Sequence, residues 1–120
     1  MPRVDRRVRS RVDVRWPARI HHPRLDCAMG EVINISVTNV FFTSPERYDP
    51  GESVQLEMQI APDEWIHCIA RVRRFEPGPR RRTAYGAVIL HFTGHNRERL
   101  EEQLNLLCKR GGAESAPEPS

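Results

Sequence analysis

The 120-residue sequence contains few cysteines, few aromatic residues and no long apolar run. Its three cysteines lie roughly forty residues apart without any CxxC or CxxH spacing, which argues against a zinc site and against a disulfide framework. Because no run of about 18 apolar residues occurs, no transmembrane helix is predicted. The charged N-terminus is not followed by an apolar stretch, so the sequence predicts no secretory signal and a cytoplasmic location.

Signatures of catalysis are also missing. The sequence contains no Ser–His–Asp order, no phosphate-binding glycine-rich loop and no pair of carboxylates that can be assigned to acid–base chemistry. Its five histidines show no metal-ligand spacing. We therefore expect a single small domain that is not an enzyme and that carries neither a metal ion nor a cofactor.

Positive charge is present, but it is unevenly distributed. Residues 1–25 contain eight arginines and two acidic residues, whereas residues 26–64 contain eight acidic residues and one arginine. Arginine accounts for 18 of the 19 basic residues. A planar guanidinium suits phosphates and guanine edges better than an ammonium does, although a GC-rich genome would produce the same excess. The excess alone therefore does not identify a ligand.

The pattern of apolar residues predicts six short β-strands. Apolar and polar residues alternate in the clearest of them, which is typical of strands with one buried face. Clusters of Gly, Pro, Asn and Asp separate the segments and predict turns. The predicted strands cover approximately residues 11–20, 27–35, 40–43, 54–60, 65–73 and 83–92. Six strands of this spacing predict an all-β fold, a small six-stranded antiparallel barrel.

Near the C-terminus the spacing of apolar residues changes from that of a strand to that of a helix, and it predicts one α-helix over residues 96–110. Three leucines recur there at helical spacing, Asn96 is a candidate N-cap, and Gly111 with Gly112 is predicted to end the helix. The helix would cover one opening or edge of the barrel. The sequence thus divides into a flexible basic arm at 1–10, the barrel with its helix at 11–110, and a disordered tail at 111–120.

Two short motifs enclose the first two predicted strands, one before the first strand and one at the end of the second. An RxxxR motif is formed by Arg7 and Arg11, just before the first strand, and N-I-S-V-T-N runs from Asn34 to Asn39. In this order they resemble the PilZ family, whose pattern is RxxxR on an N-terminal arm followed by [D/N]xSxxG. The resemblance extends over about residues 6–110. It includes a P-G-x-x-V-x-L segment and the apolar ending of the sixth strand.

The resemblance implies a bacterial receptor that binds cyclic di-GMP and passes the signal to a protein partner. It also implies the split barrel of that family. One arginine fork can bind O6 and N7 of guanine, stack on the base or clamp a phosphate. The opposite edge of guanine carries N–H donors, which an asparagine carbonyl or a serine hydroxyl can accept. The ligand-binding residues implied by the resemblance are Arg6, Arg7, Arg11, Asn34, Ser36 and Asn39.

One position departs from the family pattern, because Asn39 stands where the motif closes with glycine. If glycine serves for a positive φ angle, asparagine is the most tolerant replacement. If it serves for close approach of the ligand, the added side chain intrudes. For such a departure the resemblance implies an alternative function, a protein-interaction module that does not bind the nucleotide, in the control of motility, pili or exopolysaccharide.

Nucleic acid is a third candidate ligand. The arginines near residues 71–74 and 80–82 favour it. The acidic middle of the chain and the scarcity of aromatic residues on the predicted exposed faces count against it. We therefore interpret Arg71, Arg73 and Arg74 as an exposed strand face that balances the acidic middle, and Arg80–Arg82 as a loop tip.

Overall fold

The computed structural model describes residues 11–115 of the backbone and side chains as far as residue 108. The predicted arm at 1–10 and residues 116–120 of the predicted tail lie outside this range. The described elements are β1 (Val12–His22), β2 (Leu25–Ile35), β3 (Asn39–Ser44), β4 (Ser53–Ala61), β5 (Glu64–Pro77), β6 (Thr83–Phe92) and α1 (Asn96–Ser115).

The six strands form a closed antiparallel barrel in the order β1-β2-β3-β6-β5-β4, and β4 pairs with β1 to close it. The predicted six-stranded barrel is therefore confirmed. Closure leaves the two ends of the barrel, rather than a sheet edge, to be covered. Alternate residues point inward, as in β4, where Val54, Leu56, Met58 and Ile60 are all buried.

An aromatic cluster fills one end of the barrel. The rings of Phe42, Tyr48 and Tyr85 lie within 6.5 Å of one another, and all three side chains are almost fully buried. The Tyr85 hydroxyl donates to the Glu46 carbonyl oxygen (2.8 Å) and accepts from the Tyr48 backbone N–H (3.0 Å). These bonds fix the loop between β3 and β4. Burial raises the pKa of Tyr48 above its ordinary value.

The helix α1 packs against the barrel through two fully buried leucines, Leu100 and Leu104. The carbonyl oxygen of the Asn96 side chain accepts from the His67 backbone N–H (2.6 Å), so this residue ties the start of α1 to β5. Arg99 forms an ion pair with Glu64 at the same end (2.7 Å). Among the described residues, no helix is both long and apolar enough to cross a membrane.

The end of α1 differs from the prediction. The helix continues through Gly111 and Gly112 to Ser115, whereas we expected it to end at residue 110 with a disordered tail from residue 111. A glycine lowers helix stability by about 1 kcal/mol relative to alanine, but it ends a helix only where it adopts a left-handed conformation. Two glycines therefore weaken the last turn without terminating it.

Candidate functional site

A cleft of about 200 Å³ opens on the surface of the barrel where β3, β5 and β6 lie side by side. We call it the β3 cleft. Its polar lining consists of Arg11, Asn34, Asn39, Arg73 and Arg74. Phe41 and Gly86, which pair across β3 and β6, contribute the apolar part of the lining.

Irregular pairing between strands brings the side chains of this cleft together. The register of β2 against β3 shifts between Val32 and Asn34, and that of β5 against β6 shifts between Val72 and Arg74. Such a bulge sets two residues of one strand against one residue of its partner. Adjacent arginines at 73 and 74 therefore both remain exposed beside the cleft, where a regular strand would turn one of them inward.

Asn34 lies directly opposite Asp13 in the β1–β2 pair. Its side-chain Nδ2 donates to the Asp13 carboxylate at 2.8 Å. No described residue donates to the carbonyl oxygen of the same amide, and Asn34 lines the cleft. An aspartate at position 34 would instead face a second carboxylate at hydrogen-bond distance, and like charges opposite each other destabilise a sheet. The asparagine therefore suits its neighbour in this chain.

Ser36 is almost fully buried, with 1% of its surface exposed, and it does not line the cleft. Its hydroxyl oxygen accepts from the backbone N–H groups of Thr38 (3.2 Å) and Asn39 (3.1 Å). Its own N–H donates to the Asn39 carbonyl oxygen (2.8 Å), and the N–H of Ile89 donates to the Thr38 carbonyl oxygen (2.8 Å). In this structure the serine therefore shapes the loop that carries Asn39.

Asn39 begins β3 and its side chain lines the cleft. Its Nδ2 donates to the hydroxyl oxygen of Thr38 (2.9 Å). Within the described residues, positive φ angles outside glycine occur at Arg80 and Arg81, and not at Asn39. A need for positive φ therefore does not explain the glycine of the family motif at this position, and the asparagine side chain occupies space at the wall of the cleft.

The three arginines of the cleft carry uncompensated charge. Among the described residues, Arg11, Arg73 and Arg74 form no ion pair with a carboxylate. The guanidinium of Arg74 lies 5.8 Å from the ring centroid of Phe41, within the range of a cation–π contact. A Cβ on Gly86 would come within 3.3 Å of both side chains, so a glycine here leaves room for them.

The acidic middle of the chain is balanced by other residues than we predicted. Its carboxylates form ion pairs with arginines of β1, the β1–β2 turn and α1, namely Glu57 with Arg19, Glu52 with Arg24 and Glu64 with Arg99. Arg71, Arg73 and Arg74 lie on an exposed strand face as predicted, but within the described residues they form no ion pair with the acidic middle. The pKa of Glu57 is lowered from its ordinary value, chiefly by its hydrogen bond to His21 and further by Arg19.

The structure brings together three of the residues expected from the sequence, Arg11, Asn34 and Asn39. Arg6 and Arg7 lie outside the described residues. Sequence analysis missed the contribution of Arg73 and Arg74, which it assigned to a solvent-exposed face. Two adjacent arginines within an alternating strand were the available signal, because they break the period of two and indicate a bulge.

The described part of the chain shows no arrangement for a metal ion, and one of its cysteines is buried. No group of three or more His, Cys, Asp or Glu side chains there is arranged to hold a metal ion. Burial raises the pKa of the Cys68 thiol to about 12, so this cysteine stays protonated and unreactive.

Solved structures of known proteins share this fold. The inhibitor of motility from Bacillus subtilis, MotI/DgrA, superposes with a TM-score of 0.70 at 16% sequence identity, covering 83% of this chain and 49% of that chain. The PilZ domain of YcgR from Escherichia coli, solved with c-di-GMP, superposes with a TM-score of 0.58 at 13% identity, covering 92% of this chain and 96% of that chain. This chain thus spans about half the length of MotI/DgrA. No curated protein matches the sequence.

The family is established by the sequence itself. The family model of the PilZ domain matches residues 5–106, which include both motifs, all six strands and the buried part of α1. The resemblance inferred from the motifs is confirmed by this match and by the closed six-stranded barrel. PilZ domains are receptor and adaptor domains rather than a known family of enzymes. The chain described here belongs to the PilZ domain family.

Proposed function

We propose that this protein is a cytoplasmic receptor for cyclic di-GMP, which it binds in the β3 cleft, and that it passes the signal to a protein partner. One observation carries the proposal: three arginines that pair with no carboxylate among the described residues, and two asparagines, surround a single cleft. Cyclic di-GMP carries two phosphate charges and two guanine bases. Arginine forks and amide oxygens are the groups that bind phosphates and guanine edges.

The size of the β3 cleft limits how much of the ligand it encloses. At about 200 Å³ it is smaller than the pockets of about 300–1,000 Å³ that enclose a drug-sized ligand. We infer that one guanine and its adjoining phosphate enter the cleft. Arg74 and Phe41 offer stacking surfaces for the base, and the Asn34 carbonyl oxygen accepts from its N–H groups.

The arm that precedes β1 completes the proposed site. Arg11 already lines the cleft, and Arg7 and Arg6 stand four and five residues before it in the sequence. Closing the arm over the nucleotide would place their guanidinium groups on the side of the ligand that faces solvent. Contact between the arm and the nucleotide would also change the surface that a partner protein meets.

Calorimetric titration with cyclic di-GMP tests this proposal. We expect binding with a dissociation constant in the micromolar range or tighter, because each charge-assisted arginine contact contributes about 1.5–3 kcal/mol. Binding should weaken as salt rises, since arginine–phosphate contacts are screened. A folded protein that releases no heat at high nucleotide concentration would falsify the proposal.

Asn39 supports a second candidate function, that of a PilZ module which contacts a partner without binding the nucleotide. Its side chain takes up space in the cleft where the family motif has glycine. We expect Asn39→Gly to raise the affinity for cyclic di-GMP, and to lower the free energy of unfolding by about 0.5–1 kcal/mol because glycine weakens a strand. Parallel calorimetric and urea titrations of both proteins measure the two effects.

The wild-type titration decides between the two functions. If only the glycine variant binds, the natural site is degenerate and the module function holds. If both bind, the receptor function holds and the difference in affinity measures the cost of the Asn39 side chain.

A further inference from the structure

A second cleft, of about 380 Å³, lies between the β5–β6 turn and the strands β1 and β2. We call it the turn cleft. Its charged lining consists of Arg15, Arg80, Arg82 and Glu31, and Met29 contributes an apolar side chain that is 52% exposed. Arg15 and Glu31 lie 3.5 Å apart at their closest atoms, so the other two arginines leave the cleft with excess positive charge.

The turn is fixed in place by three hydrogen bonds. Gly78 N–H donates to the Arg82 carbonyl oxygen and Arg82 N–H donates to the Pro79 carbonyl oxygen, both at 2.9 Å. The Arg82 side chain then donates to the Met29 carbonyl oxygen, also at 2.9 Å. The turn is therefore anchored to β2, and the cleft has a defined shape.

The backbone of the turn is strained at two arginines. Arg80 has a φ of 54° and Arg81 a φ of 63°, in a region that side chains with a Cβ rarely adopt. Both side chains are exposed, and neither forms an ion pair within the described residues. Strain of this kind persists where the surrounding structure imposes it, and it is concentrated at functional sites.

The turn cleft adjoins the β3 cleft. Phe41 lines the β3 cleft and Thr43 lines the turn cleft, and these residues follow each other on one face of β3. Two residues of a strand span about 7 Å. On the other side, Arg11 lines the β3 cleft and Arg15 lines the turn cleft. A molecule in the turn cleft would therefore share a wall with a nucleotide in the β3 cleft.

We propose that the turn cleft docks an acidic, extended segment of a partner protein. Arg80 and Arg82 in the lining, together with Arg81 exposed on the same turn, supply the charge for its carboxylates, and Met29 supplies an apolar contact. This inference extends the proposed function by naming the partner-binding surface, and it depends on that function only for the link to the nucleotide. The first ten residues of the chain do not suit this cleft, because they carry four arginines and one aspartate.

One feature of the lining favours a protein segment over nucleic acid. None of the described residues that line the turn cleft carries an aromatic ring on which a base could stack. Carboxylate side chains, in contrast, form bidentate pairs with arginine and leave neighbouring positions free for apolar contacts.

Fluorescence anisotropy with a short labelled peptide of alternating glutamate and leucine tests the docking site at physiological ionic strength. We expect Arg80→Glu/Arg81→Glu to weaken binding of this peptide at least about tenfold, because attraction becomes repulsion. Arg71→Glu is the matched control, since Arg71 is exposed on β5, forms no ion pair within the described residues and does not line the cleft. It should change the affinity less than about twofold.

A second variant separates binding from folding. Arg80→Gly/Arg81→Gly relieves the positive φ angles, so we expect its melting temperature to rise by roughly 5 °C while its affinity for the peptide falls. A merely structural role for the arginines predicts the rise without any loss of affinity, and that result would overturn the proposal.

Other outcomes also count against the proposal. No binding of the peptide to the wild-type protein, or equal weakening by Arg71→Glu, would show that the turn cleft is not a docking site. Tighter binding of a single-stranded oligonucleotide at the same salt concentration would assign the cleft to nucleic acid. A dimer in sedimentation that dissociates in the charge-reversed variant would assign it to a second copy of the chain. Peptide binding without any heat from cyclic di-GMP would leave this site standing while the nucleotide proposal fails.

Discussion

Replacing Arg74 with alanine should weaken the binding of cyclic di-GMP by about 10- to 150-fold, which corresponds to the 1.5–3 kcal/mol of one hydrogen-bonded charged group. Arg74 lies across Gly86 and 5.8 Å from the ring centroid of Phe41, so its guanidinium forms part of the surface on which we place the base. Alanine removes both the charge and this stacking surface. Calorimetric titration of the variant measures the loss.

The control for this prediction is Arg71→Ala. Arg71 lies three residues earlier on β5 and is equally exposed, but it does not line the β3 cleft. Its loss should change the affinity less than about twofold, and both variants should unfold at the wild-type urea concentration, because neither side chain contributes to the core. Equal affinities of Arg74→Ala and the wild type would mean that the nucleotide does not occupy this cleft. Arg74→Lys should fall between them, since it keeps the charge and loses the planar fork.

The strands could be predicted because each repeats a simple pattern. In β4, four buried residues alternate with polar ones, so the pattern alone places the strand within two residues of its ends. The six-stranded antiparallel barrel was predicted from the number and spacing of strands together with the resemblance to PilZ domains, but the order in which the strands pair was not. Closure itself depends on pairing between β1 and β4, which no local pattern encodes.

The lining of the site was less predictable, because it depends on where the register between paired strands shifts. We predicted that Arg73 and Arg74 are both exposed, but not that the bulge against Gly86 sets both of them beside the cleft. A sequence motif also cannot distinguish a serine that contacts a ligand from one that accepts backbone N–H groups, because the two uses need the same hydroxyl. The hydroxyl of Ser36 accepts backbone N–H groups.

Charge distribution along the chain predicted excess positive charge without locating it. The N-terminal arginines Arg19 and Arg24 pair with carboxylates of the acidic middle, so part of the basic segment is neutralised by folding. The unpaired arginines of the described residues are concentrated on β5 and the β5–β6 turn instead, beside the two clefts. Such an outcome depends on which strands become neighbours, and therefore on the tertiary fold.

Replacing Gly30 with alanine should lower the free energy of unfolding by at least about 3 kcal/mol, the upper range for overpacking in a core. A Cβ at this position would lie 1.9 Å from the Thr43 carbonyl oxygen and 2.9 Å from Cδ1 of Ile20. The first clash involves the backbone of β3, so no side-chain rotation can relieve it. Since small domains are stable by only about 5–15 kcal/mol, the loss should be evident as a shifted urea midpoint.

Gly51→Ala separates this clash from the general effects of removing a glycine. Gly51 has a φ of 95° and nothing lies within 4 Å of the position of a Cβ, so alanine there adds backbone strain of about 1–2 kcal/mol without a collision. A Gly30 variant no less stable than the Gly51 variant would contradict the close approach of β2 and β3. If the approach is as tight as the distances indicate, Gly30→Ala should also weaken binding of cyclic di-GMP, because Asn34 on β2 and Asn39 on β3 would no longer face the same cleft.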